Sequence, residues 1–303
     1  MKVLVTGGAG FIGSHISDLF LKKSYDVVVI DNLTNGRNIN KKTKFYEADI
    51  TDINLINIFK KEKPDFVIHK AAQVNVRNSL SKPIFDAQVN IIGSINVLEC
   101  CKNTGVKKIV YASSGGAVYG EPIKIPCSED HPINPLSPYG ISKHAVEHYL
   151  FQYNDNFSID YTILRYSNVY GPRQDPRGEA GVVSIFFDKL TKNEVPTING
   201  DGNQTRDYVY VEDVAEANLL AVEKKTKNRI FNIGTGKETS VNEIFEKLKN
   251  LTKSKINARH GPAIKGEVKR IALNVSLAKK ELGWMPKKSF DEGLKNTYTF
   301  FKA

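Results

Sequence analysis

Short runs rich in Val and Ile recur along the first half of the chain, each next to a longer stretch with apolar residues at helical spacing. Val3 to Val5 precedes Ile12 to Lys23, Val27 to Ile30 follows, Ile53 to Lys61 precedes Phe66 to His69, and Ile91 to Lys102 precedes Ile109 to Ala112. The pattern predicts alternating strands and helices. The strand runs are almost continuously apolar, as expected where helices cover both faces of a parallel sheet. A further helix is predicted over about Pro138 to Tyr153, then a strand near Tyr161 to Arg165. The fold class is therefore α/β with a doubly wound parallel sheet, an architecture that binds ligands beyond the carboxyl ends of its strands. After Gly171 the pattern loosens into a polar segment, Pro172 to Gly181. Helices over Val182 to Lys192, Val211 to Lys224 and Ser240 to Leu251 then mix with brief strands. Residues 1–170 are read as one domain. Residues 171–303 are read mainly as a smaller, mixed α/β substrate-binding domain, with some segments returning to the first core.

Composition changes this picture little. With 303 residues, 41% hydrophobic and 25% charged, the chain resembles ordinary globular proteins and has length for a large core plus a smaller one. Its longest uncharged runs, such as Ile109 to Gly120, hold glycines and serines and fall short of a membrane span. The N-terminal apolar run is too short for a secretory signal and enters a glycine loop at once. Cys100, Cys101 and Cys127 match neither a zinc site nor a disulfide framework, so a cytoplasmic location with reduced thiols is expected. The formal charge of +10 comes from scattered lysines. Clustered stripes mark nucleic-acid binders, so no nucleic-acid partner is expected.

Chemistry enters with Thr6-Gly7-Gly8-Ala9-Gly10-Phe11-Ile12-Gly13, directly after the first strand. Gly7 permits a tight turn, Gly10 lets backbone approach a pyrophosphate, and Gly13 allows the helix to pack on the strand. The helix N-terminus offers unpaired N–H groups to phosphates. Asp31, ending the second strand, is placed to accept from a ribose diol and to repel a 2′-phosphate, which favours NAD over NADP. The sheet is thus a Rossmann domain. Further on, Tyr139-Gly140-Ile141-Ser142-Lys143 sets a phenol and an ammonium four apart on one helix face. A free phenol with pKa about 10 is a poor base at neutral pH. The Lys143 cation and a positive nicotinamide ring would both favour phenolate, making Tyr139 a usable base. Ser113 and Ser114 follow the strand Ile109 to Ala112, so one of their hydroxyls can bridge a substrate oxygen and the phenol. Which one acts stays open.

His144-Ala145-Val146-Glu147-His148 overlaps this helix and matches H-x-x-E-H, a pattern that can hold zinc with a glutamate as base. Both histidines lie about 100° or more around the helix from Tyr139 and Lys143, and no downstream acid is marked as a third ligand. The match is read as accidental, and no metal is expected.

Together these residues resemble the extended short-chain dehydrogenase/reductase family, and within it the NAD-dependent epimerases of the UDP-glucose 4-epimerase type from archaea and bacteria. The resemblance covers nearly the whole chain, including Asp49-Ile50, His69 to Ala72, Asn90, Arg165 to Gly171, Gly200 to Asp213, Asn232-Ile233-Gly234 and Leu282-Gly283-Trp284. It implies an isomerase that interconverts UDP-glucose and UDP-galactose, with the N-acetylated hexoses as further substrates to test, through a transient 4-keto sugar. Tyr139, Lys143, Ser114 and Ser113 would be catalytic. NAD would be held by Gly7, Gly10, Phe11, Ile12, Gly13, Asp31, Asn32, Asn35, Gly36, Asp49, Ile50, Ala71, Ala72, Asn90, Tyr139, Lys143 and Tyr166. The UDP-hexose would be held by Asn75, Ser114, Tyr139, Asn168, Val182, Arg206 and Glu267. A homodimer formed through two helices per subunit is implied as well.

The chain departs from the family pattern at four places. Gly115 stands where many epimerases have a third hydroxyl, and Asn199 where an aromatic residue often stacks on uracil. Ile264 replaces a usual arginine, leaving Lys265 or Arg270 as substitutes, and Ile271 stands where some relatives limit the N-acetyl group. The alternatives are a nucleotide-sugar 4,6-dehydratase, disfavoured because Ser114-Gly115 stands where such enzymes carry Asp-Glu, and a non-catalytic nucleotide- or RNA-binding protein on the same fold.

Overall fold

The computed structural model describes residues 1–178, 181–264 and 268–302. Seven parallel strands make the main sheet: β1 (Lys2–Thr6), β2 (Asp26–Asp31), β3 (Lys44–Glu47), β4 (Phe66–His69), β5 (Lys108–Ser114), β6 (Asp160–Tyr166) and, after four short strands, β11 (Ile230–Ile233). The intervening four are β7 (Asn168–Tyr170), β8 (Thr197–Asn199), β9 (Thr205–Arg206) and β10 (Tyr208–Tyr210). Spatial order is β11-β6-β5-β4-β1-β2-β3. The direction of winding reverses between β1 and β4, and this opens a crevice beyond their carboxyl ends at Gly7 and Lys70.

Both sheet faces are apolar because successive side chains alternate between two cores. Val3, Val5, Val27, Val29, Val110 and Leu164 point to one, and Leu4, Val28, Ile30, Ile109, Tyr111 and Ile163 to the other. On the first side lie α1 (Phe11–Lys22) and, much later in the chain, α9 (Val211–Glu223). The second side carries α2 (Leu55–Glu62), α5 (Gly93–Thr104) and α7 (Pro138–Phe157), and between them run the short helices α3 (Val76–Ser81), α4 (Pro83–Ala87) and α6 (Gly115–Val118). Helix α5 is entered through a π-helical turn, Gln88–Ile92, and so starts later than the periodicity predicts. Ser137 caps α7 by accepting from the Gly140 N–H at 3.2 Å, and Pro138 takes the first helical position.

A separate core is built from Phe186 and Phe187 of α8 (Val182–Thr191), Ile244, Phe245 and Leu248 of α10 (Val241–Thr252), Leu294 of α11 (Phe290–Lys302), and Tyr170, Tyr208 and Tyr210. Short pairs complete it: β7 with β10, β9 with β12 (Thr239–Ser240), and β8 with β13 (Arg259–Gly261). Helix α9 and strand β11 lie beyond residue 170 in the chain but belong to the main sheet's layers. Edge strand β3 and helices α3, α4 and α11 were not foreseen; β3 presents no buried residue to create a pattern.

Candidate active site

The turn after β1 takes its shape from its glycines. Gly7 has φ +68°, a left-handed conformation that L side chains rarely adopt. A Cβ on Gly13 would sit 2.1 Å from the Gly7 carbonyl oxygen, so only a bare backbone lets α1 approach the turn this closely. Helix α1 begins after Gly10 with no side-chain cap and no acidic residue in its first turn. Its first N–H groups are thus disposed toward an anion. Asp31 faces this turn: its carboxylate accepts from Ala9 N–H at 3.0 Å and Leu33 N–H at 2.8 Å, and burial pushes its pKa up. Gly36 packs on the same loop, where a Cβ would meet the Ala9 oxygen at 2.5 Å. Asn32 donates to Asp49 at 2.7 Å.

Two cavities open from this turn. One, of about 570 Å³, is lined by Asp31, Asn32, Asn35, Gly36, Asp49, Ile50, Ala71, Ala72 and Asn75. The other, of about 400 Å³, is lined by Phe11, Ile12, Gly13, Ser113, Ser114, Tyr139, Lys143, Tyr166, Asn168, Val182 and Arg206. Gly7, Gly10, Lys70, Ala72 and Val74 line both, so they form one cleft. An elongated dinucleotide fits that donor set: a buried carboxylate at one end, uncapped helix amides in the middle, and hydroxyl, phenol and ammonium groups at the other.

At the second end Tyr139 is half-buried on the first turn of α7 and Lys143 is buried one turn on. The Lys143 Nζ lies 5.9 Å from the Tyr139 ring centroid and 4.9 Å from that of Tyr111, and donates to Ala112 O at 2.9 Å. Burial, then the charge of Lys70, pushes the ammonium down to about 7, with Asp86 and Glu147 opposing. Any support this charge would lend to a phenolate at Tyr139 therefore fades above neutrality. His69 lies beneath this end, between Thr6 Oγ1 at 2.7 Å and Ser94 Oγ at 2.9 Å. Burial, then Lys143 and Lys70, pushes it down to about 3, so the imidazole is neutral.

The two serines differ. The Ser113 hydroxyl donates to Glu147 Oε1 at 2.6 Å within a buried pair, Glu147 with Arg165, whose closest approach is 2.6 Å. Ser114 is half-buried on the cleft wall. Both serines line the cleft, and Ser114 is the more exposed of the two.

Several expected residues have different surroundings. Asn90 is buried behind the wall: its amide accepts from Gln73 N–H at 2.8 Å and donates to Gln73 O and to Asp86. It shapes the Ala71–Gln73 loop from behind. Arg206 and Asp207 do not make the surface ion pair that their adjacency suggests. Asp207 is buried and accepts from the Thr235 N–H and hydroxyl and from the Gly236 and Leu273 N–H groups. Arg206 faces the cleft. Arg270, a candidate for the missing phosphate arginine, makes two bonds to Glu238 at 2.6 and 2.9 Å. Asn199 sits on β8, and Ile271 is buried with Val118, Tyr119 and Leu273. Glu267 and Lys265 lie outside the described residues.

Asp86 was not anticipated. Fully buried on α4, it accepts from Ser142 Oγ at 2.6 Å and Gln73 Nε2 at 2.7 Å, tying the helix of Tyr139 to the cleft loop. Asn90 also donates to it from four residues on, but these two partners lie 13 and 56 residues away, beyond any local pattern. Lys70, which lines both cavities with Nζ 4.7 Å from the Tyr166 ring centroid, was missed likewise.

The model of the NAD dependent epimerase/dehydratase family matches residues 3–234. A Methanocaldococcus jannaschii protein with a provisional UDP-glucose 4-epimerase name is 54% identical over 302 residues, 99% of this chain and 98% of its own. Among solved structures, a Thermotoga maritima UDP-glucose 4-epimerase with UDP-glucose superposes with TM-score 0.97 at 48% identity, covering 100% of this chain and 99% of that one. A Thermus thermophilus UDP-glucose 4-epimerase in complex with NAD gives TM-score 0.95 at 41% identity, with the same coverage.

Proposed function

The chain belongs to the NAD dependent epimerase/dehydratase family, and from that premise we propose that it is an NAD-dependent 4-epimerase interconverting UDP-glucose and UDP-galactose. The observation that carries this reading is a single cleft in which Tyr139, Ser114 and Lys143 share walls with the Gly7–Gly13 turn and with Arg206. NAD, when bound, supplies the reversible two-electron oxidation at C4 of the hexose. Asp31 holds the adenosine ribose, and the first N–H groups of α1 hold the diphosphate. Tyr139 takes the proton of the C4 hydroxyl and later returns it. Ser114 orients the sugar oxygen toward the phenol, and the Lys143 ammonium favours the phenolate. Asn168, Val182 and Arg206 anchor the sugar nucleotide away from the reacting carbon, so that binding energy there retains the 4-keto sugar while it turns.

Residues 1–170 thus serve mainly the cofactor and residues 171–303 mainly the substrate, with α9 and β11 returned to the first unit. The protein works as a homodimer. Exposed Ile84, Phe85, Ile92 and Ile141, on α4, the adjoining π-helical turn and α7, support this assignment. Three buried, unbridged cysteines agree with a thiol-reducing cytoplasm. Among the described residues no helix is long and apolar enough to cross a membrane.

The test is incubation with UDP-glucose, UDP-N-acetylglucosamine and dTDP-glucose without added NAD. UDP-galactose as product supports the reading, and UDP-N-acetylgalactosamine would extend it. A 4-keto-6-deoxy product would replace it with dehydration, and absence of any product would leave a binding protein.

A further inference from the structure

The backbone wall described above meets only part of the charge a dinucleotide brings. A diphosphate carries two negative charges, and a helix N-terminus offers it roughly half of one positive charge. The turn from Thr6 to Gly13 holds no charged side chain. Among the residues that line both cavities, Gly7, Gly10, Lys70, Ala72 and Val74, Lys70 is the charged one. The other cations of the cleft stand elsewhere: Arg177 lines only the larger cavity, Arg206 only the smaller, and Lys143 is held on Ala112 O.

The main chain sets Lys70 against the glycine turn. Its N–H donates to Thr6 O at 3.1 Å and lies 3.2 Å from Thr6 Oγ1, and a Cβ on Gly7 would meet the Lys70 carbonyl carbon at 3.0 Å. His69, one residue earlier, points to Ser94 on α5. Lys70 takes the opposite face, as alternation along a strand requires. It is half-buried, with Nζ 4.7 Å from the Tyr166 ring centroid, and Tyr166 belongs to the core on the α1 side of the sheet. Its charge is felt across this end of the cleft: after burial it is the next cause that lowers Lys143 to about 7, and after burial and Lys143 it adds to the lowering of His69 to about 3. The ammonium thus stands inside the cleft, beside the turn and on the face where α1 begins.

We propose that Lys70 is a cofactor-binding residue whose ammonium pairs with the diphosphate of the dinucleotide at the start of α1. This role rests on the NAD-dependent reading and adds to it the side-chain charge that the backbone wall lacks. A compact ammonium on a flexible stem suits a phosphate oxygen as a point charge. Because the residue is only half-buried, the pairing is weakened by salt.

Fluorescence titration of the full chain, freed of bound nucleotide, with NAD and with ADP-ribose tests this role. Lys70→Met keeps the stem over Tyr166 and removes the charge. It should weaken both ligands by the same factor, at least about tenfold, as for a hydrogen bond to a charged group. Its affinity should also fall less steeply with added salt than that of the wild-type chain, and Lys70→Arg should restore both affinity and salt dependence. If Lys70→Met fails to fold by circular dichroism, Lys70→Gln takes its place in the same titrations. Unchanged affinity, an unchanged salt dependence, or a loss seen with NAD and absent with ADP-ribose would overturn the pairing and leave the epimerase reading standing. A wild-type chain that takes up no NAD would remove both.

Discussion

Around Asp31 the cleft is walled largely by backbone: Gly7, Gly10 and Gly36, the uncapped start of α1, and a carboxylate held by main-chain N–H groups. Around Asn168 and Arg206 it is walled by side chains projecting from two short strands and a loop. On the proposed reading the first kind of wall would recognise what is common to dinucleotides, a diphosphate and a diol, and would tolerate little change. The second would recognise what differs between sugar nucleotides, so its positions could vary singly. Tyr139, Ser114 and Lys143 stand where the two kinds meet, which on the proposed reading is where cofactor and sugar would touch.

Removing the group at that meeting point should have the largest effect. Tyr139→Phe is expected to lower turnover of UDP-galactose by about 10²–10⁴-fold, while NAD released on denaturation stays equimolar with protein. Wild-type turnover would take the proton-transfer role from Tyr139.

The backbone wall is tested by a pair of substitutions. Gly13→Ala places a methyl 2.1 Å from the Gly7 oxygen, whereas at Gly10 the nearest atom is 3.3 Å away. Gly13→Ala should cost about 1–3 kcal/mol in chemical denaturation, and Gly10→Ala distinctly less while still lowering NAD retention. Equal losses of stability would mean that helix packing is not what Gly13 serves. A smaller change is expected from Asp31→Ala. It should weaken NAD binding at least about tenfold, as for one hydrogen bond to a charged group, and narrow the preference over NADP; an unchanged NAD/NADP ratio in fluorescence titration would separate Asp31 from the ribose.

The most gradual effect is acid lability beneath the catalytic end. His69 titrates near 3 when folded against an ordinary 6.5, so between those values the unfolded chain binds more protons. Its contribution is complete above about pH 6.5 and is lost as pH falls toward 3. Burial raises the Glu147 carboxyl, but Arg165, His144 and Ser113 outweigh this and hold it at about 2 against an ordinary 4.5. A second loss therefore starts below about pH 4.5. Urea midpoints measured from pH 8 to 4 should decline from about 6.5 downward. A flat profile from 6.5 to 4.5 would mean that His69 is solvated.

The cofactor end was readable from the chain because its determinants are local. The turn, the helix start and the acid at the end of β2 fall within 31 residues, and each answers a steric or electrostatic demand that is satisfied by backbone geometry. Continuous apolar runs likewise specified a sheet covered on both faces, and the four-residue spacing put Tyr139 and Lys143 on one face of α7. Tertiary structure decided what depends on contacts between distant segments. It turned Ser113 toward Glu147, put Asn90 behind the Ala71–Gln73 loop where the family resemblance had it lining the NAD cleft, and made Asp86 the tie between two elements. Burial lowered Lys143 and His69, which no spacing encodes because desolvation is set by everything packed around a group. Which walls meet a nucleotide sugar is likewise a property of the assembled cleft, since Asn168, Val182 and Arg206 share no local pattern and become neighbours only when the chain is folded.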